Sequence, residues 1–413
     1  TAATLNPSTS YEGGASSDIE FWKKDDSYDI YGKIELTVNT IGTNLSNSPA
    51  LKYAVVNNGN VLKEGSLKGT TSGSKVTILK NLYLEQTKQI YTVYVWLDNS
   101  EELGNISNES LSISVDCTAS LQKEPTAADT IISLYTSAAK VTATNNSITY
   151  NTAPSVSLMN DRLGGTTTDL DGGNIRYYGA SPKNYIYFNC ETYPNTNCEV
   201  WRIIGIFDGK VKIMRNNTIG KLAWDYDKNN NSSLTTYDNN WHTSTLQKLL
   251  NNSYYNGTGT ITYYNSDSAN GSVSLNMNNI GIKNTKTRNM ISETNWYLGG
   301  SDTISDFQSN QFYQYERGIQ KCSSCTYEII WKGNIALPYV SDYSYSSDFS
   351  ICTDTPSAYV CRGTNWMYPI MTADGTQNSW LLTPNSGISN YAWDVSSSGS
   401  VTGGYFTYSG SGV

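Results

Sequence analysis

The sequence is poor in charged residues and almost free of histidine. Charged residues make up 15% of the 413 residues, and His242 is the single histidine. Catalytic triads, proton relays and most zinc sites need at least one well-placed imidazole and usually more. His242 follows Trp241 just before a predicted short helix, so we interpret it as a surface or capping residue. This scarcity argues against most histidine-based chemistry.

Long apolar runs and basic clusters are also missing. No stretch approaches the roughly 20 apolar residues that cross a bilayer, and no signal-peptide pattern opens the chain. We therefore predict no membrane span and take Thr1 as either a mature start or an artificially defined one. The net charge of -8 would repel a phosphate backbone, so nucleic acid is not an expected partner.

The residues that are abundant point to a β-rich, multidomain protein. The chain is two to three times a typical domain, 38% of it is hydrophobic, and it contains 32 Tyr and 10 Trp. Its polar surface consists mostly of hydroxyls and amides, which suits extracellular β-proteins. We predict a mainly β fold with some α.

Cysteine spacing predicts disulfides. The seven cysteines form three local pairs and one leftover residue: Cys190 with Cys198, Cys322 with Cys325, Cys352 with Cys361, and Cys117. Zinc would need four ligands close together, whereas these pairs lie far apart, so we predict disulfides, no metal and an extracellular, secreted or cell-surface location. A redox role for Cys322 and Cys325 would require a βαβ context that is not predicted. Cys117 is left open as free, paired outside the chain, or linking domains.

Domain boundaries follow from changes in pattern. Residues 1–17 have no helical period and predict an extended, flexible arm. Residues 18–119 contain short β runs between turns and predict an antiparallel β-sandwich of jelly-roll or immunoglobulin-like type. Alternation is clearest in 90–96, so Tyr94 and Trp96 should face one way and Tyr91 and Val93 the other.

The second half begins with a junction. Residues 120–140 are predicted to form a linker followed by a helix. The helix starts at Thr126 and carries Ile131, Leu134 and Tyr135 on one face. Residues 141–413 predict an α+β domain with long loops. There, Asp208 and Gly209 predict a tight hairpin. Strands are expected at 185–189, 199–207 and 211–215, and helices at 244–250, 287–292 and 304–317.

Residues 385–413 carry the functional prediction. They are mostly Ser, Gly, Tyr, Asn, Asp and Thr. Apolar residues occur at intervals between them, and we expect these to face the core. Tyrosine offers large contact area at low entropic cost, and Ser, Gly and Asn adapt their hydrogen bonding, as in binding loops. A Gly/Ser-rich hairpin without a ligand is the alternative. The predicted ligand-binding residues are Asn390, Tyr391, Asp394, Ser396, Ser398, Ser400, Thr402, Tyr405, Tyr408 and Ser409.

Five motifs carry a resemblance to a known family. They are SLMNDRLGG at 157–165, NIRYYGASPKNYIYFN at 174–189, EVWRIIGIF at 199–207, WLLTP at 380–384 and YAWDV at 391–395. With these, most of 130–413 resembles secreted surface proteins of gut Firmicutes. The resemblance implies a C-type-lectin/formylglycine-generating-enzyme-like domain in 141–413, with 385–413 as a retroelement-type variable binding segment. That family continues past Gly412 and Val413 into a short apolar strand.

The first half is similar to another family. The run IYTVYVWLD at 90–98 resembles the camelysin-like sandwiches of biofilm fibre subunits. Such subunits assemble by donating an N-terminal strand to a neighbour. The resemblance implies that residues 1–17 serve as a donor strand at an exposed sheet edge.

The sequence gives little support for a calcium site or a catalytic carboxylate pair. Asp169, Asp171 and Asn174 suggest calcium, but an EF-type loop would need a glutamate where Ala180 stands, so we expect a turn. No carboxylate pair can be nominated for glycoside hydrolysis. We therefore predict no enzymatic activity, no metal and no cofactor.

Three hypotheses follow. The preferred one is a non-enzymatic adhesin, with a sandwich for assembly or anchoring and a lectin-like domain that binds a protein or glycan on another cell or host surface. The second is a purely structural fibre subunit that polymerises by donor-strand exchange through residues 1–17. The third is an enzyme of unknown activity.

Overall fold

The chain forms two compact units. A computed structural model describes residues 4–191, 197–226, 239–265, 271–300, 308–320, 329–352, 359–373, 378–386, 388, 390–405 and 411–413. The first unit comprises Thr1–Pro125 with Thr285–Met290, and the second comprises Thr126–Asn284 with Ile291–Val413. The fold is mainly β with some α, as predicted.

The first unit is built from two sheets. Its strands are β1 (Pro7–Ser8), β2 (Ala15–Phe21), β3 (Tyr31–Ile41), β4 (Leu51–Asn57), β5 (Asn60–Ser66), β6 (Lys75–Tyr83), β7 (Gln89–Asp98) and β8 (Leu111–Ser120). One sheet has the order β1-β7-β4-β5, with β2 also on β7, and the other has the order β6-β3-β8. Short helices occur at Tyr11–Gly13, Thr43–Asn47 and Thr285–Arg288.

Alternation along the strands creates one shared core. Tyr91 and Val93 of β7 are buried together with Leu36 of β3 and Ile78 of β6. Successive side chains of a strand point to opposite faces, so Tyr94 and Trp96 lie on the other side of the sheet. They join a separate small cluster there. The predicted division of faces in 90–96 is therefore confirmed.

The N-terminal residues pair within their own unit, in contrast to the flexible arm expected for 1–17. Residues Ala15–Phe21 run antiparallel along β7, from Ala15 opposite Val95 to Phe21 opposite Gln89. The ring of Tyr11 packs on Tyr94, with centroids 4.9 Å apart. The sheet face that carries Trp96 would otherwise expose apolar surface, and this packing covers it.

The second unit has more and shorter elements. Its strands are β9 (Val141–Asn145), β10 (Ile148–Ala153), β11 (Leu158–Asn160), β12 (Ile175–Tyr177), β13 (Tyr185–Phe188), β14 (Glu199–Phe207), β15 (Lys210–Arg215), β16 (Thr260–Tyr264), β17 (Ser272–Asn276), β18 (Thr294–Tyr297), β19 (Ile330–Gly333), β20 (Asn378–Pro384), β21 (Tyr391–Ser396), β22 (Val401–Tyr405) and β23 (Ser411–Gly412). Its helices are Ala127–Ser137, Pro154–Val156, Arg162–Gly165, Thr245–Lys248, Leu249–Tyr254, Met277–Ile280, Ser309–Glu316, Val340–Tyr345, Tyr359–Thr364 and Tyr368–Met371.

Two sheets organise the second unit. The larger has the order β13-β14-β12-β11-β10-β9 with β15 also on β14, and the smaller has the order β22-β21-β20-β23. Aromatic residues fill the space around them. One cluster holds Trp224, Trp241, Trp331 and Trp380, and another holds Trp366 and Trp393 among others. Each tryptophan buries a large apolar area, so these clusters supply much of the core.

Local signals predicted several elements correctly. Thr126 and Asp129 form a reciprocal capping box at the start of Ala127–Ser137. Asp208 and Gly209 form the turn between β14 and β15, and both have positive φ angles. Ile131 and Tyr135 are buried as expected, whereas Leu134 is 43% exposed, so the buried stripe of this helix is narrower than predicted.

Two of the three predicted cysteine pairs are bonded. Disulfides join Cys190 to Cys198 and Cys352 to Cys361. Cys117 is a free cysteine on β8. The predicted pair of Cys322 and Cys325 lies outside the described residues.

Candidate binding surface

The predicted binding segment contains a hairpin with a serine-rich turn. Strands β21 and β22 pair from Tyr391 opposite Tyr405 to Val395 opposite Val401. The turn between them closes with a hydrogen bond from the Gly399 amide to the Ser396 carbonyl, 2.8 Å long. Gly399 has a φ of +87°, which glycine adopts without steric cost.

Side chains from neighbouring segments hold this turn. The Tyr343 hydroxyl donates to the Gly399 carbonyl at 2.8 Å, and the Tyr368 hydroxyl donates to the Ser397 carbonyl at 2.9 Å. Within the turn, the hydroxyls of Ser396 and Ser398 lie 2.8 Å apart. Hydrogen bonds from outside and within the turn therefore hold it in one conformation.

Both faces of the hairpin are covered, so its exposed part is small. Trp393 and Val395 pack into one aromatic cluster, while Ala392 packs into the other. The predicted contact residue Ser398 is exposed, as is Ser397, which was not predicted. Five other predicted contact residues are half-buried: Asn390, Tyr391, Ser396, Ser400 and Thr402. The surface offered by the described residues is thus the turn, with a half-buried border.

Asp394 was predicted as a contact residue, but its side chain is fully buried. It lies on the same strand face as Ala392, which packs towards Trp380 and Leu382. Its carboxylate accepts hydrogen bonds from the Asn378 amide at 2.7 Å and the Thr402 hydroxyl at 2.6 Å. Asp394 therefore joins three adjacent strands rather than facing a ligand.

The buried position of Asp394 also changes its protonation. Burial raises the pKa of its carboxyl to about 6, although the two hydrogen bonds oppose that shift. A β-carbon on Gly404 would lie 2.3 Å from one Asp394 oxygen, so only glycine fits there. The hairpin is therefore built tightly around this carboxyl group.

Three predicted contact residues cannot be placed on the surface. Tyr405 ends β22, but its side chain is not among those described. Tyr408 and Ser409 lie outside the described residues.

Sequence reasoning missed a second exposed group of residues. On β13, the side chains of Tyr185 and Tyr187 are 61% and 68% exposed. The guanidinium carbon of Arg202 lies 4.0 Å from the centre of the Tyr185 ring and 4.8 Å from the centre of the Trp366 ring. Tyrosine and arginine are enriched among the residues that dominate binding interfaces. The Tyr-Ile-Tyr-Phe alternation at 185–188 was the available signal, since it places both tyrosines on one face.

A buried ionic network supports the helix that holds the turn. Arg176 contacts Asp161 at 2.7 Å and Asp342 at 3.0 Å, and Lys212 also contacts Asp342. The Arg176 guanidinium is covered by the ring of Phe207, whose centre is 4.5 Å away. Burial opposes ionisation of Asp342, but these two cations keep its pKa below the usual value.

The start of the same helix, Val340–Tyr345, is held by a buried glutamate. Glu316 accepts hydrogen bonds from the amides of Val340 at 3.1 Å and Ser341 at 3.0 Å, and from the hydroxyl of Thr383. Burial raises the pKa of Glu316 to about 7. Together with Arg176, it fixes the helix from which Tyr343 reaches the turn.

Other kinds of site have little support among the described residues. They contain no group of three or more His, Cys, Asp or Glu side chains placed to hold a metal ion. In the suspected calcium loop, Asp171 accepts hydrogen bonds from Tyr135 and Asn151 instead. His242 is half-buried and precedes Ser244, the residue that caps Thr245–Lys248. Within the ranges given above, no helix is long and apolar enough to cross a membrane.

Comparison with known proteins gave no match. No protein-family model, no curated protein and no solved structure matches the chain.

Proposed function

We propose that this chain is a non-enzymatic extracellular adhesin whose second unit binds a protein or glycan through the turn Ser396–Ser400. The lectin-like character of that unit and its variable-type segment, taken from the motif resemblance, belong to the same proposal. The observation that carries it is the fixed turn, whose carbonyls accept hydrogen bonds from Tyr343 and Tyr368. Evolved binding loops gain affinity when they are held in place in this way.

The exposed tyrosines support the same role. Tyr185 stacks on Arg202, which also stacks on Trp366. Tyr368, at the start of the helix Tyr368–Met371, donates a hydrogen bond to the Ser397 carbonyl of the turn. Aromatic rings of this kind offer rigid contact area to a partner. The two disulfides fit an oxidising location.

A binding array tests this proposal. The full chain is applied to printed glycans and cell-surface proteins, in parallel with Ser398→Arg and the control Ser133→Arg. Ser133 lies exposed on the helix Ala127–Ser137, away from the turn in sequence. We expect a saturable signal that Ser398→Arg reduces at least tenfold and Ser133→Arg leaves unchanged. Equal loss in both variants, or no signal on any spot, would rule out binding through the turn.

A second candidate function is assembly through the N-terminal residues. Strand β2 pairs with β7 over seven residue positions, from Ala15 to Phe21. A strand that pairs at a sheet edge can be exchanged with the corresponding strand of a neighbour. The first unit would then form fibres that carry the second unit as a repeated display.

Electron microscopy of the intact chain and of a variant without residues 1–17 tests this assembly. Donor-strand exchange predicts filaments that form with rising concentration in the intact chain and disappear in the shortened one. Separate particles for both proteins would remove the fibre hypothesis and leave the adhesin alone.

A further inference from the structure

Arg202 of β14 is a buried cation beside the exposed tyrosines of β13. Its side chain belongs to a residue that is 5% exposed. The Nε atom donates a hydrogen bond to the side-chain oxygen of Asn184 at 2.6 Å. The guanidinium also packs against the rings of Tyr185 and Trp366. These contacts fix the plane of the guanidinium, because ring stacking and the Nε bond both restrict its rotation.

This cation has no anionic partner among the described residues. Arg176, Arg215 and Arg317 each contact an aspartate or a glutamate. Within the ranges given above, Arg202 makes no such contact. Burial lowers the pKa of Arg202, and Tyr185 opposes that shift. Arginine is almost never buried unless it is paired, so the arrangement indicates a place for an anion from outside the chain.

The end of the side chain that would meet the anion is unused and reachable. The bond to Asn184 occupies only the Nε–H group. The N–H groups on the two terminal nitrogens have no acceptor in the part of the chain that the structure describes. Neither nitrogen is among the fully buried atoms that lack a partner, so both keep some contact with solvent. Two terminal nitrogens of one guanidinium form a fork that fits two oxygens of a single group.

The surroundings of this fork favour a carboxylate. One positive charge is balanced by one negative charge, whereas a dianion such as sulfate would bring excess charge against the aromatic rings. Tyr185 lies opposite Arg202, and Tyr187 lies opposite Val200, so the four side chains share one face of the sheet. Tyr187 and Val200 are 68% and 40% exposed. They offer apolar contact to the carbon skeleton that carries the carboxylate.

We propose that Arg202 binds the carboxylate of a monoanionic ligand, with each terminal nitrogen donating to one carboxylate oxygen and the ligand's carbon skeleton packed on Tyr187 and Val200. The site is separate from the turn Ser396–Ser400, and it does not rest on the adhesin proposal. A free organic acid, an acidic sugar and an acidic protein side chain all carry this group.

Nuclear magnetic resonance titration of the full chain with acetate and acetamide tests the site. The two probes have nearly the same shape and differ in charge. The reporter is the Nε–H signal of Arg202, which is identified by its absence from Arg202→Met. Hydrogen bonds to charged groups are the stronger ones, so acetate should shift this signal saturably and bind about tenfold more tightly than acetamide. Sulfate at the same ionic strength should bind more weakly than acetate.

Two larger probes separate the sources of the carboxylate. Methyl glucuronide represents an acidic sugar, and N-acetylglutamate amide represents an acidic protein side chain. Both should bind more tightly than acetate, because their skeletons reach Tyr187 and Val200. The tighter of the two identifies the source.

A matched pair of variants completes the test, with the backbone amides of residues 185–187 as reporters. Arg202→Met should abolish their response to acetate. Arg317→Met should leave it unchanged, because Arg317 already contacts Asp208. The proposal is overturned if acetate and acetamide bind equally to the wild type, if sulfate binds more tightly than acetate, or if a folded Arg202→Met variant keeps the acetate response. The comparison of probes on the wild type decides the matter even if Arg202→Met does not fold.

Discussion

Replacing Asp394 by asparagine should remove a pH dependence of stability that the wild type carries. The carboxyl is fully buried, and burial raises its pKa from 3.8 to about 6. Because the folded state binds this proton more tightly than the unfolded state, stability falls as pH rises from about 4 to about 6. Asparagine keeps the shape and carries no charge: its oxygen can accept from the Asn378 amide, while its NH2 group donates to the Thr402 hydroxyl, so that second bond reverses direction.

The magnitude follows from the two pKa values. One pKa unit corresponds to about 1.4 kcal/mol, so the step from 3.8 to about 6 is worth roughly 3 kcal/mol. The free energy of unfolding of Asp394→Asn, relative to wild type, should rise by that amount between pH 4 and pH 7.5. Glu316 also titrates in this range, but it is present in both proteins and cancels in the difference.

Denaturant unfolding followed by tryptophan fluorescence is the assay. Of the 10 tryptophans, Trp22 and Trp96 lie in the first unit, so the emission reports mainly on the second. A difference between the two proteins that stays constant from pH 4 to pH 7.5 would refute the argument. It would mean that Asp394 is solvated and that the hairpin is looser than described.

Three further predictions concern the turn, the core and the first unit. Tyr343→Phe leaves the Gly399 carbonyl unpaired, so it should lower stability by about 1–3 kcal/mol and speed hydrogen exchange of the turn amides; unchanged exchange would contradict a held turn. Arg176→Met leaves Asp161 buried without its cation, so denaturant unfolding should show a loss of about 3–5 kcal/mol, and a loss below 1 kcal/mol would contradict the network. Gly14→Val would place a β-carbon 2.4 Å from a backbone oxygen, so limited proteolysis should cut the N-terminal residues faster, and wild-type cleavage rates would contradict the docking.

Local features could be predicted from the sequence because their causes are local. The capping box of Thr126 and Asp129 joins residues three positions apart, and the turn at Asp208 and Gly209 depends on two residues. The alternation in 90–96 identified which side of β7 enters the core. Cys190 and Cys198 are close in sequence and pair as expected.

The features that the sequence did not reveal depend on distant residues. Asp394 was expected at the surface because composition alone cannot show that a sheet is covered on both faces. The pairing of β2 with β7 joins residues more than 60 positions apart. Likewise, nothing in the chain near Arg176 signals that Asp342 will reach it. Such contacts are set by tertiary packing, which short-range patterns do not encode.

The most direct test of the binding proposal is a footprint of the bound partner. Hydrogen–deuterium exchange of the full chain is compared with and without the molecule that gives the strongest signal on the binding array. We expect protection at residues 396–403 and at 185–188, where the turn and the exposed tyrosines lie. Protection confined to the first unit or to the helix Ala127–Ser137, with the turn unchanged, would contradict the account.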